Sequence, residues 1–344
     1  MKVKKFMAPV RIDFAGGTTD ISPFKDEYGG CILNATINRY VVGELKADDK
    51  KTHLEYTGNI PTSSGLGTSG VMNLIWLSLI TQQKGKLDSN AKIKLAETVY
   101  GIEQAMGLVG GKQDQYAAAF GGINFMEFKK DKVKVHRLNL RKEFIKKLED
   151  KLVLIYTGKP HFSGNTNKAM MDNLRKGKNN ANLLRIKNIA IEMKNALLKE
   201  DLERFAELMN EETRERKKLH ESIVPESTQK IISLAMKNGA IAAKVCGSGG
   251  GGSILFFGDK KKLKQKFKDK VIDFKFDFDP LDGKLSDLDK ITAVGKKGVL
   301  CMLTDCLGSE RPGFTPSEQK VGVTLEKEMA LCSGKLLFTT QSSN

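Results

Sequence analysis

Proline, tryptophan and histidine are scarce in this chain of 344 residues: it has eight prolines, one tryptophan and four histidines. The histidines are scattered at 53, 136, 161 and 220, and the five cysteines at 31, 246, 301, 306 and 332 form no C-x-x-C pair, which speaks against a structural zinc site or a disulfide framework. Long apolar runs are missing too. The longest, Val71 to Ile80, is half the ~20 residues that a membrane span needs, and Lys2 to Phe6 leads into a strand-like stretch with no apolar signal region. A cytoplasmic protein without a membrane partner is expected. Acidic residues are the minority charge, 41 against 57 basic, for a net charge of +16. The lysines spread over 129–151, 166–199 and 260–270 without interleaved aromatics, so solvated faces are expected rather than a stacking platform for nucleic acid. No G-x-x-x-x-G-K-[ST] loop occurs, and Gly107 to Lys112 misses that spacing.

What the chain does have is Pro61-Thr-Ser-Ser-Gly65-Leu-Gly67-Thr-Ser69-Gly70, a small-residue loop running straight into the apolar helical stretch Val71 to Ile80. Glycines let the main chain approach an anion, and the first helical turn offers unpaired N–H donors. The plain alternative is a surface turn of the same composition.

Three further blocks bear on that choice. In Ala8 to Asp20, Val10, Ile12 and Phe14 alternate with Arg11 and Asp13, so a strand with one buried face and one face presenting charge is expected, turned by Gly16-Gly17. The alternative is an edge strand in which Arg11 and Asp20 form a surface pair. Residues 91–106 read as a helix with Ile93, Ala96, Val99 and Tyr100 on one face, and Glu103 continues that face toward a Gly110-Gly111 turn. Asp114 then opens a small-residue stretch, where a carboxylate favours the helix start and serves as a base or as a cap. Finally, Gly247-Ser-Gly249-Gly-Gly-Gly252 satisfies G-x-G-x-x-G but lies between two strand-like stretches, whereas a dinucleotide fingerprint needs a helix after it. No protein-kinase H-R-D or D-F-G follows either, and a plain hairpin turn is the alternative.

Taken together these blocks resemble the GHMP kinases, a family that includes galactokinase, homoserine kinase and mevalonate kinase. Residues 61–70 match their motif P-x-x-x-G-L-x-S-S-A with Thr68 for the first serine and Gly70 for the alanine. The resemblance implies an α/β (α+β) two-domain fold: a ribosomal-protein-S5-like ATP-binding domain at 1–155 and a ferredoxin-like α/β domain at 156–284, entered by a strand at 151–156. It implies ATP and Mg2+ as cofactors. The loop residues Pro61, Ser63, Ser64, Gly65, Leu66, Gly67, Thr68 and Ser69 would bind the nucleotide, with Gly249 and Gly250 closing over it. Ser69 and Glu103 would hold the metal, Asp114 would be the base and Arg11 its partner. Asp20 and Gly17 would bind the acceptor, and Lys159, His161 and Ser163 would meet a phosphate on it.

The wording of Gly16-Gly-Thr-Thr-Asp20, Tyr28 to Asn38 and Gly110 to Gly122 is most similar to the branch of sugar-1-kinases acting on heptose 7-phosphate. The implied reaction is transfer of the ATP γ-phosphoryl to a sugar hydroxyl, the anomeric one in that branch. A kinase on an unphosphorylated sugar, like fucokinase or galactokinase, is the alternative, and a non-catalytic basic nucleic-acid binder is the alternative from a different class. Association with copies of itself is left open. Residues 285–344 stand apart, with seven basic against seven acidic residues, so the whole excess of positive charge belongs to 1–284. That segment is expected to be an extension, a tail or a sequence foreign to the rest.

Overall fold

The computed structural model describes residues 2–47, 51–61, 63–81, 87–159, 170–278 and 322–326. Strands β1 (Lys2–Ala15) and β2 (Gly30–Ala47) pair antiparallel from Lys2 opposite Ala47 to Ala15 opposite Leu33. The register is irregular between Pro9 and Arg11 and between Asp13 and Ala15. The far edge of β2 is divided: β3 (Lys51–Gly58) takes Val41 to Ala47, and β4 (Ile123–Lys129) takes Gly30 to Ala35. Strand β5 (Lys132–Arg137) extends the sheet beyond β4, and Gly322–Glu326 pairs with β3 on the opposite side.

Helices α1 (Phe24–Glu27), α2 (Thr68–Ile80), α3 (Ser89–Ala105) and α4 (Gln113–Phe120) accompany this sheet. The apolar stretch anticipated after Gly70 is the body of α2, buried through Val71, Met72, Leu74, Ile75, Leu77 and Leu79. Helix α5 (Lys142–Lys151) leads to a second antiparallel sheet in the order β7 (Ala240–Val245), β8 (Ser253–Gly258), β6 (Leu152–Tyr156), β9 (Val271–Ile272). The helices of this half are α6 (Asn180–Leu198), which packs on β1 and β2, α7 (Leu202–Lys217), α8 (Glu226–Lys237) and the lysine-rich α9 (Lys260–Phe267).

The two halves share one apolar core. The Phe14 ring of β1 meets Phe205 of α7 edge-on at 5.4 Å and Phe276 at 6.0 Å, and Phe205 meets Phe257 of β8 at 6.1 Å. Such aromatic pairs add about 0.5–1.5 kcal/mol each beyond area burial. The stretch Val271 to Phe276 is divided between the two sheets by this arrangement. Val271 and Ile272 pair with β6, after which the chain returns to the first sheet: Phe276 bridges Ile37, the Asp277 N–H donates to Thr36 O at 2.9 Å, and the Gly122 N–H donates to Asp277 O at 2.7 Å.

The anticipated charged face of β1 also differs, since both faces are buried: Arg11 is 5% exposed and Asp13 1%. One face meets the apolar core and the other is covered by the loop before α2 and by the second sheet. Charge on that face is therefore paired rather than solvated.

Candidate active site

The loop before α2 is held by β1. At the register break after Pro9 the Arg11 N–H donates to Leu66 O at 3.1 Å, and the Arg11 Nη1 donates to Gly65 O at 2.8 Å. Leu66 is fully buried, a contribution of about 1.5–3 kcal/mol that plugs the loop into the core between two glycines. Ser63, Gly65 and Gly67 all have positive φ, at 49°, 74° and 78°. Alternation of that kind turns successive N–H groups to one side and forms an anion-binding concavity. Gly67 is the N-cap of α2 and supplies no side-chain cap, so the helix start keeps unpaired donors beside it. The buried Ser64 Oγ has no hydrogen-bond partner among the described residues.

Asp114 lies in the first turn of α4, where capping was the alternative role. The N-cap is Lys112, with no side-chain cap bond. Asp114 instead faces Arg11, whose Nε and Nη2 reach Oδ1 at 2.8 and 2.7 Å. Both contacts fall on Oδ1 and leave Oδ2 toward the loop: a Cβ on Gly67 would lie 2.9 Å from Asp114 Cγ, and one on Gly70 2.8 Å from Asp114 Cβ. Glycine at 67 and 70 thus lets the carboxylate press against the loop. Burial opposes the Arg11 charge, but Asp114 and Asp13 outweigh it and the guanidinium is held more firmly charged than usual.

Glu103, 9% exposed on α3, accepts from Asn73 Nδ2 at 2.7 Å and from Gln115 Nε2. Burial, followed by the nearby negative charge of Asp114, pushes its carboxyl up to about 7, against the partial relief of those two amides. Its partners are neutral, so a divalent cation would relieve a carboxylate that the protein itself leaves uncompensated. Ser69, exposed in the first turn of α2, lies one helical turn before Asn73. The oxygen donors present suit Mg2+.

Asp20 is 3% exposed, with Oδ2 accepting the Gln113 N–H at 3.0 Å. Burial raises its carboxyl to about 6, with Asp114 adding to the rise and backbone donors opposing it. Gly111 makes room: a Cβ there would lie 1.9 Å from Asp20 Oδ2. The loop carrying Gly111 is anchored by Lys112, whose Nζ donates to both Glu97 oxygens at 2.8 and 2.7 Å.

The glycine turn between β7 and β8 approaches the loop through its ends rather than its middle. A Cβ on Gly247 would lie 2.9 Å from Gly65 O, and one on Gly252 2.7 Å from Ser64 O. Gly249 and Gly250 pack on Ile223 instead, and the Gly250 N–H is taken by Ile223 O at 2.8 Å. Lys159 is exposed, and its carbonyl accepts the Gly252 N–H at 3.0 Å. His161 and Ser163 lie outside the described residues.

Sequence reasoning missed the amides Asn73 and Gln115, the glycines 111, 247 and 252, and the buried charges Glu212, Arg216 and Lys244. Only Asn73, at helical spacing from Ser69, and Gln115, next to Asp114, carried a local signal.

An anion cradle pressed against a paired carboxylate, with a second buried carboxylate alongside, is the constellation of a phosphotransferase. The chain belongs to the GHMP kinase family: residues 32–122 match the GHMP kinases N terminal domain and residues 193–276 the GHMP kinases C terminal. It is 31% identical over 318 residues, 76% of this chain and 91% of the relative, to the D-glycero-alpha-D-manno-heptose 7-phosphate kinase of Campylobacter jejuni. The solved D-glycero-D-manno-heptose 1-phosphate kinase from Bacteriodes thetaiotaomicron superimposes with a TM-score of 0.62 at 27% identity, covering 81% of this chain and 97% of that one. A separate likeness is to Ribonuclease J of a Synechocystis species, 44% identical over 72 residues, or 21% of this chain and only 11% of that protein.

Proposed function

We propose that the protein transfers the γ-phosphoryl group of ATP to the anomeric hydroxyl of a phosphorylated heptose such as D-glycero-D-manno-heptose 7-phosphate. The observation that carries this reading is the position of Asp114, against the loop at Gly67 and Gly70 and tied to it through Arg11. A base there stands next to the phosphates of a nucleotide held by Ser63 to Ser69. The identity of the relatives supports the heptose acceptor, and cytoplasmic ATP is the donor.

In this scheme the loop donors and the α2 N-terminus hold the phosphates, while Ser69 and Glu103 would hold a Mg2+, which when bound would supply neutralisation of the phosphate charge. Asp20 accepts a hydrogen bond from a sugar hydroxyl and places the acceptor. Asp114 Oδ2 takes the acceptor proton, and Arg11 keeps the carboxylate in position and faces the charge that spreads over the transferred group. Little bond chemistry is asked of the protein, because phosphoryl transfer is governed by positioning and charge stabilisation. We also infer that the stretch similar to Ribonuclease J falls at the C-terminal end of the chain, mostly beyond residue 276, where the family matches end.

The test is ADP release with ATP, Mg2+ and a panel of free sugars and sugar phosphates. Turnover is expected on a heptose 7-phosphate. A preference for a free hexose would move the assignment to the fucokinase-like alternative, and salt-sensitive nucleic-acid binding with no turnover on any sugar would replace it.

A pH dependence accompanies this role of Asp20. Its folded-state value of about 6 lies above the ordinary carboxyl value, so the fold favours the protonated form. The associated stability is complete below about pH 4 and lost as pH rises through 6. Function runs the other way, because only the carboxylate accepts hydrogen bonds through both oxygens. With ATP and Mg2+ saturating, kcat/KM for the acceptor should rise about tenfold per pH unit below 6 and level off above it. Asp20→Asn should remove that limb, and a wild-type profile flat between pH 5 and 7 would refute the role.

A further inference from the structure

Among the buried charges outside the scheme above, four form one connected set. Asp13 of β1 is 1% exposed, Glu212 and Arg216 of α7 are 0% and 1%, and Lys244 of β7 is 0%. They form a chain across the two halves: Asp13 Oδ2 to Lys244 Nζ at 3.0 Å, Lys244 to Glu212 Oε2 at 3.5 Å, and Glu212 Oε1 to Arg216 Nε and Nη2 at 2.8 and 2.6 Å. The set is electrically neutral. A neutral set of buried ions is commonly no more stabilising than apolar side chains of the same volume, so its presence calls for a role in arrangement.

Where the chain of charges ends supplies that role. At one end Arg216 Nη2 donates to Gly17 O at 2.9 Å and Nη1 to Thr18 Oγ1 at 3.3 Å, fixing a turn in which Thr18 has φ of 76°. At the other end Asp13 Oδ1 accepts the Gly247 N–H at 3.0 Å, at the residue that touches Gly65. Gly17 is the joint between them: a Cβ there would lie 2.8 Å from Arg216 Nη2 and 3.0 Å from Asp13 Oδ2. Its glycine is thus required by the network whether or not it meets the acceptor. Burial opposes the charge on Asp13, but Lys244, Arg11 and Arg216 outweigh it, so the carboxylate is ionised at neutral pH.

We propose that Arg216 and Asp13 are positioning residues: Arg216 sets the acceptor turn Gly16 to Asp20, Asp13 sets the Gly247 to Gly252 turn against the nucleotide loop, and Glu212 and Lys244 supply the opposite charge that each of them needs. Acceptor affinity then depends on a helix of the C-terminal half. The inference rests on the kinase reading for its kinetics and on geometry alone for its dynamics, and both are tested.

Arg216→Lys keeps a cation beside Glu212 but lacks the fork that spans Gly17 and Thr18. On the sugar that wild type turns over best, it should raise the acceptor KM about tenfold and leave the ATP KM within twofold. Asp13→Asn, which keeps an acceptor for Gly247 but loses the charge facing Lys244, should raise the ATP KM more than the acceptor KM. Amide hydrogen exchange on the full chain gives an acceptor-independent reading: faster exchange over 16–20 in Arg216→Lys and over 247–252 in Asp13→Asn. If either variant fails to fold, the neutral pair Glu212→Gln with Arg216→Gln takes its place, with faster exchange expected over 16–20. Unchanged exchange at these turns, or acceptor and ATP KM rising in equal proportion in both variants, overturns the proposal. Localised exchange changes with no turnover on any sugar would retain it and reject the kinase assignment instead.

Discussion

Asp114→Asn is expected to lower kcat by roughly 10²–10⁴, the usual contribution of a general base, with ATP affinity close to wild type. The substitution is nearly isosteric, so Gly67 and Gly70 still accommodate the side chain and Arg11 retains an oxygen to bond. What disappears is the anionic Oδ2 proposed to take the proton. The loop is anchored separately, by the Arg11 N–H on Leu66 O, Arg11 Nη1 on Gly65 O, and the buried Leu66 side chain. Binding and chemistry should therefore separate. An Asp114→Asn protein that is folded, binds ATP and turns over within about threefold of wild type would defeat the assignment, since that loss is far below the general-base range.

Glu103→Gln is expected to lose turnover at limiting Mg2+ and to recover part of it when the metal is raised. Loss of groups that merely support a metal ligand costs about 10–100-fold in metal affinity or activity, so loss of charge at a ligand, the role proposed for Glu103, should cost no less. The same variant carries a stability signature of opposite sign. Glu103 has its folded value near 7, above the ordinary glutamate range, so its ionised form penalises the metal-free fold increasingly from about pH 4 to 7 and fully above that. Metal-free Glu103→Gln should consequently melt no lower than wild type at pH 8. Wild-type kcat at limiting Mg2+ would remove Glu103 from the metal site. A lower melting temperature would mean that Asn73 and Gln115 stabilise the anion more than burial opposes it.

Local backbone chemistry made much of this legible before any fold was known. Gly65 and Gly67 announced a loop with positive φ, the apolar stretch after Gly70 announced a helix, and the period of residues 91–106 put Glu103 on a buried face. Each of these depends on neighbours within one or two turns, which is why the sequence alone suffices for them. The two strand-like stretches around residues 247–252 likewise ruled out a dinucleotide loop by what followed the glycines.

Other features had no local signature. The β1 charges were expected on a face turned away from the core, because alternation normally marks one such face, yet the second sheet and the loop before α2 cover it. The resemblance implied that Gly249 and Gly250 close over the nucleotide; the tertiary packing sets these two on Ile223 and brings Gly247 and Gly252 to the loop. Gly111 looked like a simple turn residue until Asp20, more than ninety positions earlier, was found against it.

The sequence by itself indicated the kinase class, through three blocks that together resemble the motifs of the GHMP kinases. The resemblance already set Arg11 beside Asp114, but only the tertiary structure decided how the other buried charges pair, because Asp13 meets Lys244 across 231 positions and Arg216 meets Thr18 across 198. Pairing at such separations is fixed by how two sheets pack around one aromatic core, and no periodicity along the chain records it.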